Sequence, residues 1–270
     1  DSVPAHPLGK SRVFRRSPRV HGPGESWRIG KLWFSEGVNL GAPLPCTPHG
    51  EIGWQLGARA TQNNLSGSSI SELERDQAFV TAGLFRRVDW GLQGGVVIDY
   101  LAESWYFTGN FAQIRGELSW MFPCSHEFGY WFTAATRDDE VQSTFTSGGQ
   151  QVTVTETYGA TDLHAFFYRH RFGECEASNV RVYAGLSGEG DGLIGADTSV
   201  SFRCNWALQA GFAYLIPNES KGSTINDGYG QESWNLGLNL VWVPGGSSRK
   251  NYFRPLFNVA DNGNFMMDRR

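Results

Sequence analysis

Apolar and polar side chains alternate along much of the chain between residues 51 and 243. The clearest stretch is 232–243, ESWNLGLNLVWV, where Trp and Leu fill every second position from Trp234 to Trp242. Successive side chains of a β-strand leave on opposite faces, so this stretch predicts a strand with one apolar and one mixed face. Nine further strands are predicted in the same way, at 51–60, 78–87, 90–101, 111–122, 179–187, 194–203 and 206–216, and as the two arms of a hairpin between 127 and 172.

The ten predicted strands indicate an all-β fold, a transmembrane antiparallel up-and-down β-barrel. In such a barrel the apolar faces meet lipid, the polar faces line the lumen, and short turns at one end alternate with longer loops at the other. The short connections are at 88–89, 123–126, 173–178 and 204–205. No run of 18 apolar residues is present, which excludes a transmembrane helix. Twelve strands, or a soluble β-sandwich, are the alternative folds.

Charge divides the chain into three segments. Residues 1–45 have a net charge of +4 and are rich in Pro, Gly and Arg, which predicts an extended basic arm. Residues 46–243 have a net charge of −11 and form the predicted barrel, and residues 244–270 have a net charge of +3 and form a predicted periplasmic tail. We interpret the basic segments as contacts for anionic lipid headgroups, a cell-wall polymer or a protein partner, and not for nucleic acid.

Polar side chains of both signs fall on the predicted inner face. In a narrow barrel they would pair across the lumen, because an unpaired charge in a confined site is costly. The lumen is therefore predicted to be filled by its own side chains, with a narrow pore as the alternative. The residues of this predicted network are Glu51, Arg59, Asp99, Arg115, Glu117, Asp197 and Arg203.

Four cysteines lie close to the predicted short turns. An even number at one end of an exported protein predicts two disulfides. Of three pairings we favour Cys124–Cys175, which join neighbouring turns, and Cys46–Cys204. A metal site is the alternative, since His126 is two residues from Cys124, but no CxxC pair is present and we predict no metal or cofactor.

Two stretches resemble those of known outer-membrane proteins. Asn235, Gly237, Leu240 and Trp242 resemble the sorting signal in the last strand of bacterial outer-membrane barrels. The later stretch FRPLFNVADNGNFM resembles the C-terminal ending of planctomycete outer-membrane barrel proteins of unassigned function. The resemblance implies an outer-membrane location and no known chemistry.

The predicted function is non-enzymatic. Patterns such as GxSxG, HExxH and phosphate loops are absent, and no histidine lies in a predicted external loop. We predict a structural, anchoring or assembly component of the outer membrane of a Gram-negative-type bacterium. The chain opens at Asp1, which we interpret as an exported form that has lost its signal peptide. The alternatives are a narrow passive pore for small solutes and a secreted carbohydrate-binding β-sandwich.

Overall fold

The computed structural model describes residues 34–45, 52–63, 75–104, 108–147, 150–203, 205–218, 233–243 and 254–269. These residues form fourteen β-strands and two short 3-10 turns, and no helix among them is long and apolar enough to cross a membrane. The strands are β1 Phe34–Pro43, β2 Ile52–Asn63, β3 Arg75–Arg86, β4 Gly91–Ser104, β5 Thr108–Met121, β6 His126–Arg137, β7 Asp139–Ser147, β8 Gln150–Ala160, β9 Leu163–Phe172, β10 Ser178–Ser187, β11 Gly192–Arg203, β12 Trp206–Ile216, β13 Ser233–Trp242 and β14 Met267–Arg269.

Eleven strands form one antiparallel sheet that curls into a half-barrel, with the order β1-β2-β3-β4-β5-β6-β9-β10-β11-β12-β13. The predicted all-β antiparallel fold is confirmed. The predicted count of ten strands is one too low, because β1 lies within the segment predicted as an arm and pairs along its whole length with β2. A β-sandwich is not the arrangement found, since one continuous sheet holds all eleven strands.

A second, three-stranded sheet extends the long hairpin between β6 and β9. Strands β7 and β8 pair from Asp139–Tyr158 to Ser147–Gln150, and β14 adds to the other edge of β8. The hairpin turns between Ser147 and Gln150, where the sequence places two glycines. The register along β9 is regular against both of its neighbours, so the stretch HAFFYRH contains no bulge.

Up-and-down connectivity gives the sheet two distinct ends. We call the end with the connections at 87–90, 122–125 and 173–177 the turn end, and the opposite end, which carries the β7–β8 hairpin, the loop end. Because the number of strands is odd, the edge strands β1 and β13 run in the same direction. They do not pair with each other in the described structure, although Arg59 Nη2 of β2 donates to Asn239 Oδ1 of β13 at 3.3 Å.

The outer face of the sheet is apolar. Leu236, Leu238 and Leu240 are 68%, 71% and 64% exposed, and each of the other strands from β1 to β12 in the large sheet presents at least one exposed large apolar side chain. Exposed aromatic residues gather near the turn end: Trp54, Trp90, Trp120, Phe122, Phe128, Phe172, Phe202, Trp206 and Trp242. This outward alternation is the one predicted from the sequence.

The C-terminal segment 254–269 fills part of the inside of the half-barrel. Arg254 donates to Ala177 O in the turn before β10 and to Ser199 Oγ of β11, both near the turn end, and Met267–Arg269 pair with β8 at the loop end, so the segment traverses the interior. Phe265 is 2% exposed and packs edge-on against Phe79 of β3, with ring centroids 6.1 Å apart. These residues belong to the segment predicted as a periplasmic tail, and the structure packs them inside the half-barrel, where their apolar side chains form a core with the inner face. Residues 1–33 and 244–253 lie outside the described residues.

Candidate functional site

Inward glutamines bind the backbone of the C-terminal segment. This segment has almost no regular secondary structure, so most of its backbone polar groups need partners outside itself. Gln55 of β2 supplies two of them, since its Nε2 donates to Phe257 O at 3.3 Å and its Oε1 accepts from Phe257 N at 3.2 Å. Gln113 of β5 donates to Asn264 O at 3.0 Å. Glutamine side chains of the strands thus form hydrogen bonds with the backbone of the C-terminal segment, which in a regular sheet would pair with the peptide groups of a neighbouring strand.

A buried carboxylate links the strands to this segment. Asp99 of β4 is fully buried and accepts hydrogen bonds from Thr81 Oγ1 at 2.6 Å, Gln113 Nε2 at 3.0 Å and Arg115 Nε at 2.9 Å. Arg115 Nη2 then donates to Asn258 O of the C-terminal segment at 2.8 Å. The Asp99–Arg115 ion pair therefore holds the inward side chains of β3–β5 in place and also binds the C-terminal segment that crosses them.

A second charge network covers β5, β6, β9, β10 and β11. Arg169 Nη1 lies 2.9 Å from both Glu117 Oε1 and Glu127 Oε1, and Arg181 Nη1 lies 3.1 Å from Glu117 Oε2. Arg181 Nε also donates to Asp197 Oδ2 at 2.9 Å. Both signs alternate through this network, so each buried charge has an opposite charge beside it, as burial requires.

The structure brings together five of the seven residues predicted for the inner network. Their partners are Asp261 and Asn239 for Arg59, and the groups described above for Asp99, Arg115, Glu117 and Asp197. Glu51 and the side chain of Arg203 lie outside the described residues. Sequence reasoning missed Arg169, Glu127 and the buried Arg75–Glu103 pair.

Arg169 was missed because its strand carries apolar residues on both faces. Phe166 is exposed, whereas Phe167 is buried on the inner face and lies under Arg169, with the guanidinium carbon 4.9 Å from the ring centroid. A Cβ on Gly129 of β6 would lie 2.5 Å from Phe167 Cζ, so this glycine makes room for the ring. Arg169 could have been predicted as an inner-network residue only from the pairing of β6 with β9, which places it opposite Glu127.

The two turns that contain Cys124 and Cys175 contact each other. Ser125 Oγ donates to Glu176 Oε1 at 2.7 Å, which joins the turns that contain Cys124 and Cys175. Cys124 is a free, exposed thiol. Cys46, Cys204 and the side chain of Cys175 lie outside the described residues.

Histidines near these turns make contacts on the outer face. His126 Nδ1 lies 2.7 Å from Tyr168 OH, and the rings of His126 and His170 stack with centroids 4.8 Å apart. Among the described residues no group of three or more His, Cys, Asp or Glu side chains is placed to hold a metal ion.

The residues of the predicted sorting signal all lie on β13. Asn235 and Gly237 line the interior, whereas Leu240 and Trp242 are exposed on the outer face. The motif therefore contributes to both faces of one edge strand.

A cavity of about 190 Å³ lies between the C-terminal segment and strands β5, β6 and β9–β13. It exists because inward positions of β12 and β13 are small, notably Gly211 and Gly237. A Cβ on Gly237 would have no heavy atom within 4 Å, whereas a Cβ on Gly57, on the filled side, would lie 2.5 Å from Val259 Cγ2. Near the turn end of this cavity, burial and the guanidinium groups of Arg171 and Arg169 lower the pKa of Arg254 to about 10.

The Asp99–Arg115 pair permits a double-mutant test. We expect Asp99→Leu to lower the free energy of unfolding by about 3–5 kcal/mol, because Arg115 would stay buried without its counter-charge. Asp99→Leu combined with Arg115→Met should recover most of that loss. Urea unfolding in detergent, followed by tryptophan fluorescence, measures both. Glu36→Leu, at an exposed position of β1, is the control, with an expected change within about 0.5 kcal/mol. Equal losses in the single and double variants would contradict the coupling.

Comparison with known proteins gives a family and no activity. No curated protein matches the chain at a significant level. One solved chain, described as "Unveiling the Mechanism Behind the in-meso Crystallization of Membrane Proteins", is similar over 88% of this chain and 100% of its own length, with 9% identity and a TM-score of 0.47. A likeness of that size carries no statement about this protein. A model of DUF6666, a family of unknown function, matches residues 14–267. Since that match spans most of the sequence, the chain belongs to the DUF6666 family.

Proposed function

We propose that this protein is a non-enzymatic outer-membrane β-barrel with a structural or anchoring role, and that residues 254–269 close its lumen. The observation that carries the proposal is the distribution of polarity across one sheet. Leu, Val, Ile and aromatic side chains are exposed on the outside, whereas charged and amide side chains are buried inside. A water-soluble protein rarely exposes so continuous an apolar surface.

The aromatic residues near the turn end support the same proposal. Bacterial outer-membrane barrels carry a girdle of aromatic side chains at each membrane interface, on either side of the apolar band. Nine exposed Trp and Phe side chains at this end fit one such girdle. On this proposal the turn end is periplasmic, and the C-terminal segment crosses the barrel towards the outside.

The contents of the lumen favour closure over transport. The C-terminal segment is bound at successive levels by Gln55, Thr81, Gln77 and Gln113. A wide channel would need all of these hydrogen bonds to break. The cavity beside β12 and β13 is the specific observation in favour of the second candidate function, a narrow pore for small solutes.

Partner contacts are proposed for residues 1–33 rather than for the C-terminal segment. Strand β1 begins at Phe34, and residues 1–33, which precede it in the sequence, carry seven Lys or Arg against two Asp or Glu. Such a charge excess suits an anionic cell-wall polymer, an acidic protein surface or lipid headgroups.

Arginine substitutions at two depths test the membrane location. Arg on the lipid-facing side of a barrel is expected to cost about 2–4 kcal/mol at the bilayer midplane and about 0–1 kcal/mol near the interface. Leu238→Arg in the middle of β13 should therefore impair folding into lipid vesicles by the larger amount, and Phe34→Arg at the end of β1 by the smaller. Both native side chains are exposed, at 71% and 74%. Equal, negligible effects would show that no membrane surrounds this surface.

Single-channel recording tests closure of the lumen. In a planar bilayer we expect the full-length protein to insert without steady openings, and a variant lacking residues 254–270 to conduct, because the deletion removes the segment that fills the interior. Circular dichroism on both proteins controls for β content. Steady openings in the full-length protein would make the narrow pore the leading function.

Co-sedimentation with purified cell-envelope material tests the partner proposal. A variant lacking residues 1–33 keeps β1 complete, so its barrel should fold as before while its association is lost. Sedimentation in about 1 M salt provides the electrostatic control, since surface charge attraction is screened within about 3 Å at that ionic strength. Unchanged association of the truncated protein at low salt would remove the basis for anchoring through this segment.

A further inference from the structure

We infer that the cavity beside the C-terminal segment is a binding site for a small neutral polyhydroxylated solute, such as a monosaccharide. The inference goes beyond the proposed structural role and does not depend on the membrane location, because it rests on the interior of the fold alone. It is argued from the cavity's shape, its unused hydrogen-bonding groups and its paired charges.

The cavity has the size for a small solute. A single water needs roughly 10–15 Å³ of comparable volume, and this cavity has about 190 Å³. One wall is the C-terminal segment at Asp261–Asn264, which is tied to β2 by the Arg59–Asp261 ion pair at 2.9 Å. The other wall is formed by β5, β6 and β9–β13, and the last of these strands pairs continuously with β12 from Ser233 to Trp242. Both walls are thus formed before any ligand arrives.

Several polar groups in the walls have unused hydrogen-bonding capacity. Trp131 lines the cavity and is only 6% exposed, yet its indole Nε1–H has no acceptor among the described residues. A buried donor without a partner is costly, so it signals a missing acceptor. The side chains of Gln209 and Asn235 also line the cavity and form no hydrogen bond within the described part of the chain. Each amide offers both a donor and an acceptor, which is what a hydroxyl group requires.

The charged groups in the middle of the cavity already have partners. Arg181 is bound to Asp197 and Glu117, Arg169 is bound to Glu117, and Arg115 is bound to Asp99 in the buried network. A charged ligand would have to displace one of these pairs, and removing a partner from a buried pair is strongly unfavourable. A neutral ligand with many hydroxyl groups can use the free amides and the indole N–H without disturbing the ion pairs.

Two substitutions at one glycine separate binding from folding. A methyl group added at Gly237 would meet no heavy atom within 4 Å, so Gly237→Leu would fill the cavity and Gly237→Ala would leave it largely open. Trp131→Phe removes the indole N–H together with part of the ring, while keeping a smaller aromatic ring on the side of Tyr183, whose ring centroid lies 5.6 Å from that of Trp131. All three variants keep the charge network complete.

Saturation-transfer NMR on the full-length protein in detergent measures binding of two probes, glucose and glucuronate. Both are pyranose sugars, and glucuronate carries a carboxylate in place of the hydroxymethyl group of glucose. We expect glucose to bind, glucuronate to bind at least tenfold more weakly, and Gly237→Leu to lose glucose binding while Gly237→Ala retains it. Trp131→Phe should weaken glucose binding by about 3- to 10-fold, the effect of one neutral hydrogen bond.

Three results would overturn the inference. These are tighter binding of glucuronate than of glucose, no binding of glucose to the wild-type protein, and glucose binding that survives in Gly237→Leu. Circular dichroism confirms that each variant is folded. Because the measurement is made in detergent, failure to bind glucose is distinct from failure to insert into lipid, which the Leu238→Arg comparison reports.

Discussion

This fold depends on one constraint: the backbone N–H and C=O groups of the irregular C-terminal segment need hydrogen-bond partners inside the curled sheet. Residues 254–269 cross the interior with only three residues in a strand, so their peptide groups need acceptors and donors from elsewhere. The inner face supplies them through amides and hydroxyls on β2, β3 and β5, among which Gln55 binds both the N–H and the C=O of Phe257. An inner face of apolar residues would bury the same segment at a prohibitive cost, and an inner face without the segment would leave its amides with only water as partners.

The ion pairs follow from the same constraint. A curled sheet with an apolar outside must turn its charged side chains inward, where each charge needs an opposite partner. Asp99 and Arg115 satisfy this on the side that the C-terminal segment covers, and Glu117, Arg169 and Arg181 satisfy it across the sheet. The small residues on β12 and β13 leave a cavity in the interior beside these two strands. One distribution of side chains, apolar outside and polar or small inside, therefore explains three features. These are the filling of the interior by the C-terminal segment, the pairing of buried charges and the position of the cavity.

The local alternation of apolar and polar residues predicted most strands of the sheet and their outer face, but few of the residues and contacts inside the half-barrel. It assigned Leu236, Leu238 and Leu240 to the outer face, because period-two patterns report which side of a strand is apolar. It missed β1, where Glu36 interrupts the outward apolar row between Phe34 and Val38. It also missed the filling of the interior, because the contacts of Asn258 with Arg115 and of Phe257 with Asn39 join residues 143 and 218 positions apart, and no local period encodes them. Arg169 and Glu127 were missed since only strand pairing brings them opposite each other.

The path of the chain through the half-barrel also bears on its biosynthesis. Residues 254–269 follow all eleven strands of the large sheet in the sequence, yet they supply the groups that its interior needs. The ribosome therefore synthesises every strand of the large sheet before it synthesises the C-terminal segment that fills the interior. A chain that stops after β13 has a complete sheet pattern but lacks Phe257, Asn262 and Asp261, which bind Gln55, Gln77 and Arg59, so a quality-control protease would meet an open, hydrated interior. The order of synthesis thus makes the stability of the fold depend on whether translation has passed residue 269.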